Sequence, residues 1–61
     1  MNLVCGEIAE IRSEHGQRLG KVRVGGAAKL ISLDLLTDPK PGDKVVVCEG
    51  VALAKVEDRV T

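Results

Sequence analysis

Apolar and polar residues alternate along five short segments of the chain, and turn-forming residues separate these segments. Alternation with a period of two is typical of strands that bury one face. The clearest case is the segment 18–24, where Val22 and Val24 alternate with charged residues. The pattern predicts strands over residues 3–12, 18–24, 27–33, 44–49 and 51–57.

The first segment does not keep a regular alternation. Glu7 and Glu10 cannot point to the same side of an uninterrupted strand, although both should face water. A glycine inside a strand often marks a bulge or a bend. We therefore expect a β-bulge near Gly6 or Ala9.

The connections differ in length and in chemistry. Residues 13–17 form a polar hairpin turn, and Gly25-Gly26 is a two-residue turn signal because glycine tolerates positive φ. The longest connection, residues 34–42, contains two prolines, which exclude a regular central strand. A short helical turn around Leu35 is expected there, closing one end of the fold. Gly50 breaks the last apolar run into two strands.

Five short strands in 61 residues predict an all-β fold in a single domain, residues 1–61. The chain is too short for two well-packed sheets, since a domain of this size buries only about 60% of its unfolded surface. A small five-stranded, OB-like barrel without a substantial helix fits better. The core must be built from Val, Ile, Leu and Ala because the chain has no aromatic residue.

Composition argues against several classes of function. Nine basic and nine acidic residues give a net charge of zero, so no long-range field attracts nucleic acid or an anionic membrane. The aromatic platforms that bind single strands are missing as well. No apolar run reaches the roughly 20 residues of a membrane span, and no signal peptide is recognisable. We expect a cytoplasmic protein with reduced thiols.

The strand faces predict an apolar patch on the outside of the barrel. If Lys44, Lys55 and Glu57 face water, period two places Val46, Cys48, Val51 and Leu53 together on the outer face. The inner set is then Val45, Val47, Ala52, Ala54 and Val56. Exposed apolar patches on small domains often mark partner sites. The alternative is that a loop covers the patch or that a bulge at Gly50 exchanges the faces.

The two cysteines are the only candidate chemical groups. Cys5 and Cys48 become neighbours if the first and fourth strands pair antiparallel, and they then form a reversible disulfide, hold a metal jointly, or only fill space. His15, in the first hairpin turn, lies too far along the strand to join them. No set of nucleophile, base and oxyanion donor is recognisable, so we expect no enzyme activity.

The order of motifs resembles the HypC/HupF family of nickel–iron hydrogenase maturation chaperones. The resemblance lies in four pieces with near-matching spacing, which are Met1–Ile8 as a modified start, VRVGGAAKLISLDLL at 22–36, KPGDKVVV at 40–47 and GVALAKVE at 50–57. It covers nearly the whole chain. The ordered set is far more specific than any one piece.

The resemblance implies a small barrel that is not an enzyme. Members of that family act with an iron–sulfur maturation factor in assembling iron with its cyanide and carbon monoxide ligands, and escort the precursor of the hydrogenase large subunit. Their signature groups are a cysteine after the initiator methionine and a histidine in the fourth strand. Here Asn2 stands in place of that cysteine and Cys48 in place of that histidine.

Three hypotheses follow. The first is a maturation chaperone with transient iron and no tightly bound cofactor, in which Cys5 and Cys48 are the metal ligands. Its predicted partner-binding residues are Met1, Asn2, Cys5, Val46, Cys48, Val51 and Leu53. The second is a structural interaction module that has lost the iron-carrier role and works as a homo-oligomer or as a subunit that caps the sheet edge of another protein. The third is a redox or metal sensor based on the two thiols.

Overall fold

Five strands and their connections account for residues 2–56, the part of the chain that the computed structural model describes. They close into a barrel in the order β1-β2-β3-β5-β4, with β4 pairing back onto β1. Their bounds are β1 Leu3–Glu14, β2 Gln17–Val24, β3 Ala27–Ser32, β4 Lys44–Cys48 and β5 Val51–Val56. The all-β barrel is thus confirmed, and residues 2–56 contain no helix. The predicted end of the fifth strand at Glu57 lies outside the described residues.

Strand β1 pairs with β4 along its first part and with β2 along its second part. Its first part, from Leu3 to Glu7, runs antiparallel to β4, and its longer second part, from Glu7 to Glu14, runs antiparallel to β2. The register with β2 shifts between Ile8 and Glu10. This is the predicted bulge, located at Ala9, and it lets both Glu7 and Glu10 reach solvent.

Tight hairpins join three of the strand pairs. His15 and Gly16 both have positive φ, as do Glu49 and Gly50, which is the arrangement of a type I′ turn. The first hairpin loop is therefore only two residues long, shorter than the predicted segment 13–17. In the second hairpin only Gly25 has positive φ, as in a type II′ turn.

One predicted face assignment is wrong. Ala54 and Val56 were expected inside the barrel, yet both are exposed. The cause is a shift of register in the β4–β5 pair, where Val46 lies opposite Ala54 but Val47 lies opposite Ala52. Leu53 is the extra residue of this bulge, so the side chains that follow it change face.

The core is small and wholly aliphatic. All buried side chains in the core are apolar, and no buried side-chain nitrogen or oxygen in the described residues lacks a hydrogen bond. The core consists of Ile8, Val22, Ile31, Leu33, Leu36, Val45, Val47 and Ala52. Leu36 closes one end of the barrel from a turn in which its N–H donates to the carbonyl of Leu33 over 3.0 Å. The expected plug therefore exists as a turn, but Leu36 enters the core while Leu35 stays 64% exposed.

Arg18 fastens the long connection, residues 33–43, to the barrel. Its guanidinium donates to the carbonyl of Leu36 over 2.9 Å, and its backbone N–H donates to Asp34 Oδ1 over 3.0 Å. In return, the N–H of Leu33 donates to the carbonyl of Arg18. In the middle of the connection, the carbonyl of Asp38 accepts a hydrogen bond from Lys55 Nζ over 2.8 Å. The connection is therefore a fixed lid on the core.

Adding a methyl group at Gly6 should destabilise the fold, because the neighbouring strand leaves no room for a side chain. A Cβ at Gly6 would lie 2.5 Å from Val22 Cγ1 and 2.9 Å from the carbonyl oxygen of Arg23. We expect Gly6→Ala to lower the free energy of unfolding by about 1–3 kcal/mol, the usual cost of overpacking. Urea unfolding followed by circular dichroism measures this. The matched control is Gly26→Ala, since a Cβ there meets nothing within 4 Å. A control that costs as much as Gly6→Ala would contradict the explanation.

Candidate functional site

Three neighbouring strands present an apolar outer surface, called here the β1–β4–β5 face. The registers align its residues in rows across the sheet, because directly opposite residues share a face. The rows are Leu3–Cys48–Val51, Cys5–Val46–Ala54 and Glu7–Lys44–Val56. Leu53 joins them at the bulge. The face is therefore apolar over two rows and charged in the third.

Exposure agrees with this geometry. Leu3 is 59% exposed and Leu53 45% exposed, and Cys5 is exposed as well. Val46 and Cys48, in the middle strand, are half-buried between their neighbours. Large aliphatic side chains left in water at adjacent positions have hydrophobic free energy available for binding a partner.

The two thiols lie diagonally across the β1–β4 ladder. Cys5 is directly opposite Val46, whereas Cys48 is directly opposite Leu3. Cys48 lies two residues along β4 from Val46, the residue directly opposite Cys5. The two cysteines therefore share the outer face as diagonal neighbours, at a Cα separation of roughly 7–8 Å. The antiparallel pairing of β1 with β4 thus brings both thiols to one surface, at diagonal rather than directly opposite positions.

A shallow hollow of about 280 Å³ opens beside Cys5. Glu7, Arg23 and Lys44 supply its charged rim, and Val56 supplies an apolar wall. Both signs of charge are present, so the hollow does not favour a simple anion or cation. Its lining combines apolar and charged groups.

The remaining predicted partner-binding residues do not lie on this face. Met1 is outside the described residues. Asn2 instead lines a larger opening of about 580 Å³, called here the mouth cleft, between the start of β1, β3 and the β4–β5 turn. Asn2 is therefore separated from the thiols by the alternation of β1.

The described part of the chain contains no complete metal site. Between residues 2 and 56, no group of three or more His, Cys, Asp and Glu side chains is arranged to hold a metal ion. His15 is exposed in the first hairpin turn, at the opposite end of β1 from the thiols. Over the same residues, no helix has the length and apolar character needed to cross a membrane.

Sequence reasoning missed part of the face. Leu3, Ala54 and Val56 belong to it, and none was predicted there. Leu3 and Cys5 are two residues apart in β1, so their side chains lie on the same side of the sheet. The position of Leu3 could therefore have been predicted from the sequence. Ala54 and Val56 reach the face only through the bulge at Leu53, for which the apolar sequence of β5 has no local marker.

Comparison with known proteins supplies the broader class. No curated protein matches the chain. The model of the HupF/HypC family matches residues 4–60, which include every strand of the barrel except the first residue of β1. The match agrees with the resemblance of the four motifs. The chain therefore belongs to the HupF/HypC family, whose general role is that of a chaperone in hydrogenase maturation rather than an enzyme.

Proposed function

We propose that this protein is a cytoplasmic accessory chaperone that docks an iron–sulfur maturation factor, and the hydrogenase large-subunit precursor, through the β1–β4–β5 face. In this proposal the iron, with its diatomic ligands, is cargo rather than a resident cofactor. The observation that carries the proposal is the placement of both thiols on one exposed apolar surface. Membership of the family supports the general role, and the exposed apolar residues support this face as the docking site.

The apolar part of the face supports docking. Burying a side chain such as Leu53 contributes roughly 1.5–3 kcal/mol, and several such residues are adjacent here. Glu7 and Lys44 end the face with charges of both signs, which favours a defined orientation of the partner. An apolar centre with a charged rim is the usual anatomy of a protein–protein interface.

The thiols support contact with the cargo. Thiolate is a soft ligand suited to iron, and Asn2 cannot provide one. Two cysteines cannot fill the coordination sphere of iron, and the described residues offer no third ligand beside them. The proposal therefore requires the remaining ligands to come from the partner or from the cargo itself.

An interaction module without iron is the second candidate. Asn2 replaces the cysteine that carries the signature chemistry of the family, and it lines the mouth cleft instead of the face with the thiols. Under this alternative the same face binds a partner or a second copy of the chain, and neither thiol is required. The two candidates differ only in what happens to iron, so iron content distinguishes them.

A sensor based on a disulfide between Cys5 and Cys48 has weaker support. Disulfides usually join Cα atoms 4.4–6.8 Å apart, and diagonal neighbours in a sheet lie at roughly 7–8 Å. Closing the bond would require the two strands to move. Metal coordination tolerates a wider separation, because the metal ion lies between the sulfur atoms.

Substitution of Leu53 tests docking. We expect Leu53→Asp to weaken the complex with the purified iron–sulfur maturation factor by at least about tenfold, since it places a charge in an apolar contact. Isothermal titration calorimetry measures the affinity. Leu35→Asp is the matched control, because Leu35 is 64% exposed on the lid and outside the face. Equal affinities of the two variants would refute docking at this face.

Substitution of the thiols tests the role of iron. We expect the Cys5→Ser and Cys48→Ser double variant to lose little affinity for the maturation factor, because serine is close in size to cysteine, but to co-purify with far less iron. Metal analysis of the anaerobically isolated complex gives the iron content, and thiolate-to-iron absorption reports the ligands directly. Wild-type iron content in the double variant would favour the module without iron.

Controlled oxidation tests the diagonal geometry. We expect diamide to leave the wild-type chain without an intramolecular disulfide, as judged by thiol titration and mass spectrometry under non-reducing conditions. The control combines Leu3→Cys with Cys5→Ser, which puts a thiol directly opposite Cys48, where Cα atoms are about 4.5–5.5 Å apart. That variant should form the bond. Rapid closure in the wild type would restore the sensor hypothesis.

A further inference from the structure

The edge of β3 is incompletely paired. On one side β3 pairs with β2 along its whole length, whereas on the other side its only partner in the described residues is β5, through the single pair Ser32 and Val51. From Ala27 to Ile31, no strand within residues 2–56 lies along that second side. A strand edge of this kind is a template for one more strand.

Two backbone hydrogen bonds at the end of β3 define which backbone groups point outward. The N–H of Leu33 donates to the carbonyl of Arg18 in β2, whereas the N–H of Ser32 donates to the carbonyl of Gly50 on the other side. Because backbone groups alternate along a strand, those of Ala28 and Leu30 point away from β2, like those of Ser32. Two residues therefore offer both a donor and an acceptor at the free edge.

We propose that this edge is a second interaction site, which binds an extended segment of a partner protein as an additional antiparallel strand. Addition of a strand to an exposed edge is a recurring mode of peptide recognition, in which backbone hydrogen bonds provide affinity and neighbouring pockets provide specificity. The site shares no residue with the β1–β4–β5 face, and it does not depend on the function proposed for that face.

The mouth cleft supplies the pocket. It has a volume of about 580 Å³ and runs beside the edge, with Val4, Val24 and Val47 among its apolar lining residues. Lys29 also lines it and shares the inner face of the sheet with Val22. An added strand therefore directs alternate side chains into the cleft, where an apolar residue meets the valines and an acidic residue meets Lys29.

Lys29 also argues against a second copy as the occupant. Two β3 edges that pair antiparallel, with Ala28 opposite Leu30, place Lys29 directly opposite Lys29 of the other copy. Like charges at directly opposite positions destabilise a sheet, and lysine on an edge strand is a common protection against self-association. A partner segment with a glutamate or aspartate opposite Lys29 forms the complementary pair instead.

Titration of the full chain with a probe peptide tests the site. The probe is the capped hexapeptide Thr-Leu-Val-Glu-Val-Thr, and the control peptide has lysine in place of glutamate. In nitrogen-15 spectra we expect saturable shifts of the Ala28 and Leu30 amides with the first peptide, and binding weaker by at least about tenfold with the second. Shifts confined to the β1–β4–β5 face, no shifts, or equal binding of both peptides would overturn the proposal.

Variants of the protein separate backbone recognition from side-chain contact. Leu30→Pro removes a donor that points to the free edge and keeps the ladder with β2, so peptide binding should be lost. Leu30→Ala retains the donor and should keep binding within about threefold.

Lys29→Glu should reverse the preference between the two peptides, and it tests the site even if the proline variant does not fold. An unchanged preference in Lys29→Glu would contradict the inference. No maturation factor is present, so a negative result leaves the function proposed for the β1–β4–β5 face intact.

Discussion

The double pairing of β1 is the constraint on which the rest of the barrel depends. One strand has to serve β4 with its first residues and β2 with its last, and Glu7 takes part in both registers. The strand must therefore bend next to Gly6, where the backbone of β2 lies too close for any side chain. A core without aromatic rings has little volume with which to compensate a poor fit. Cys5 lies on the outer face because it alternates with Gly6, which faces the barrel interior.

Local chemistry explains why much of this architecture could be predicted from the sequence. Strand positions follow from alternation, and the Gly25-Gly26 and Glu49-Gly50 turns follow from backbone preferences that act within four residues. The bulge at Ala9 was predictable because Glu7 and Glu10 cannot both face solvent without it. Most of the β1–β4–β5 face was predictable for a similar reason. Because Lys44 faces water, alternation along β4 places Val46 and Cys48 on the same outer face.

The features that could not be predicted depend on contacts between distant residues, or on a choice between equivalent ones. The bulge at Leu53 lies in a uniformly apolar segment, so no charged residue reveals the change of face. Leu35 and Leu36 are chemically identical neighbours, and only the turn that Arg18 holds decides which one enters the core. The sequence also left open both the direction of the β1–β4 pair and its register. The register determines that the two thiols are diagonal rather than directly opposite.

The parallel contact between β3 and β5 gives the barrel an uneven resistance to opening. Four of its five seams are antiparallel ladders of five or more residue pairs, whereas this seam has one pair and the hydrogen bond from Ser32 to Gly50. Local opening follows the weakest cooperative unit of a structure. We expect local opening to begin at this seam, because the other four ladders hold more backbone hydrogen bonds. Closure here therefore depends on core side chains, such as Ile31 of β3 and Ala52 of β5, more than on backbone pairing.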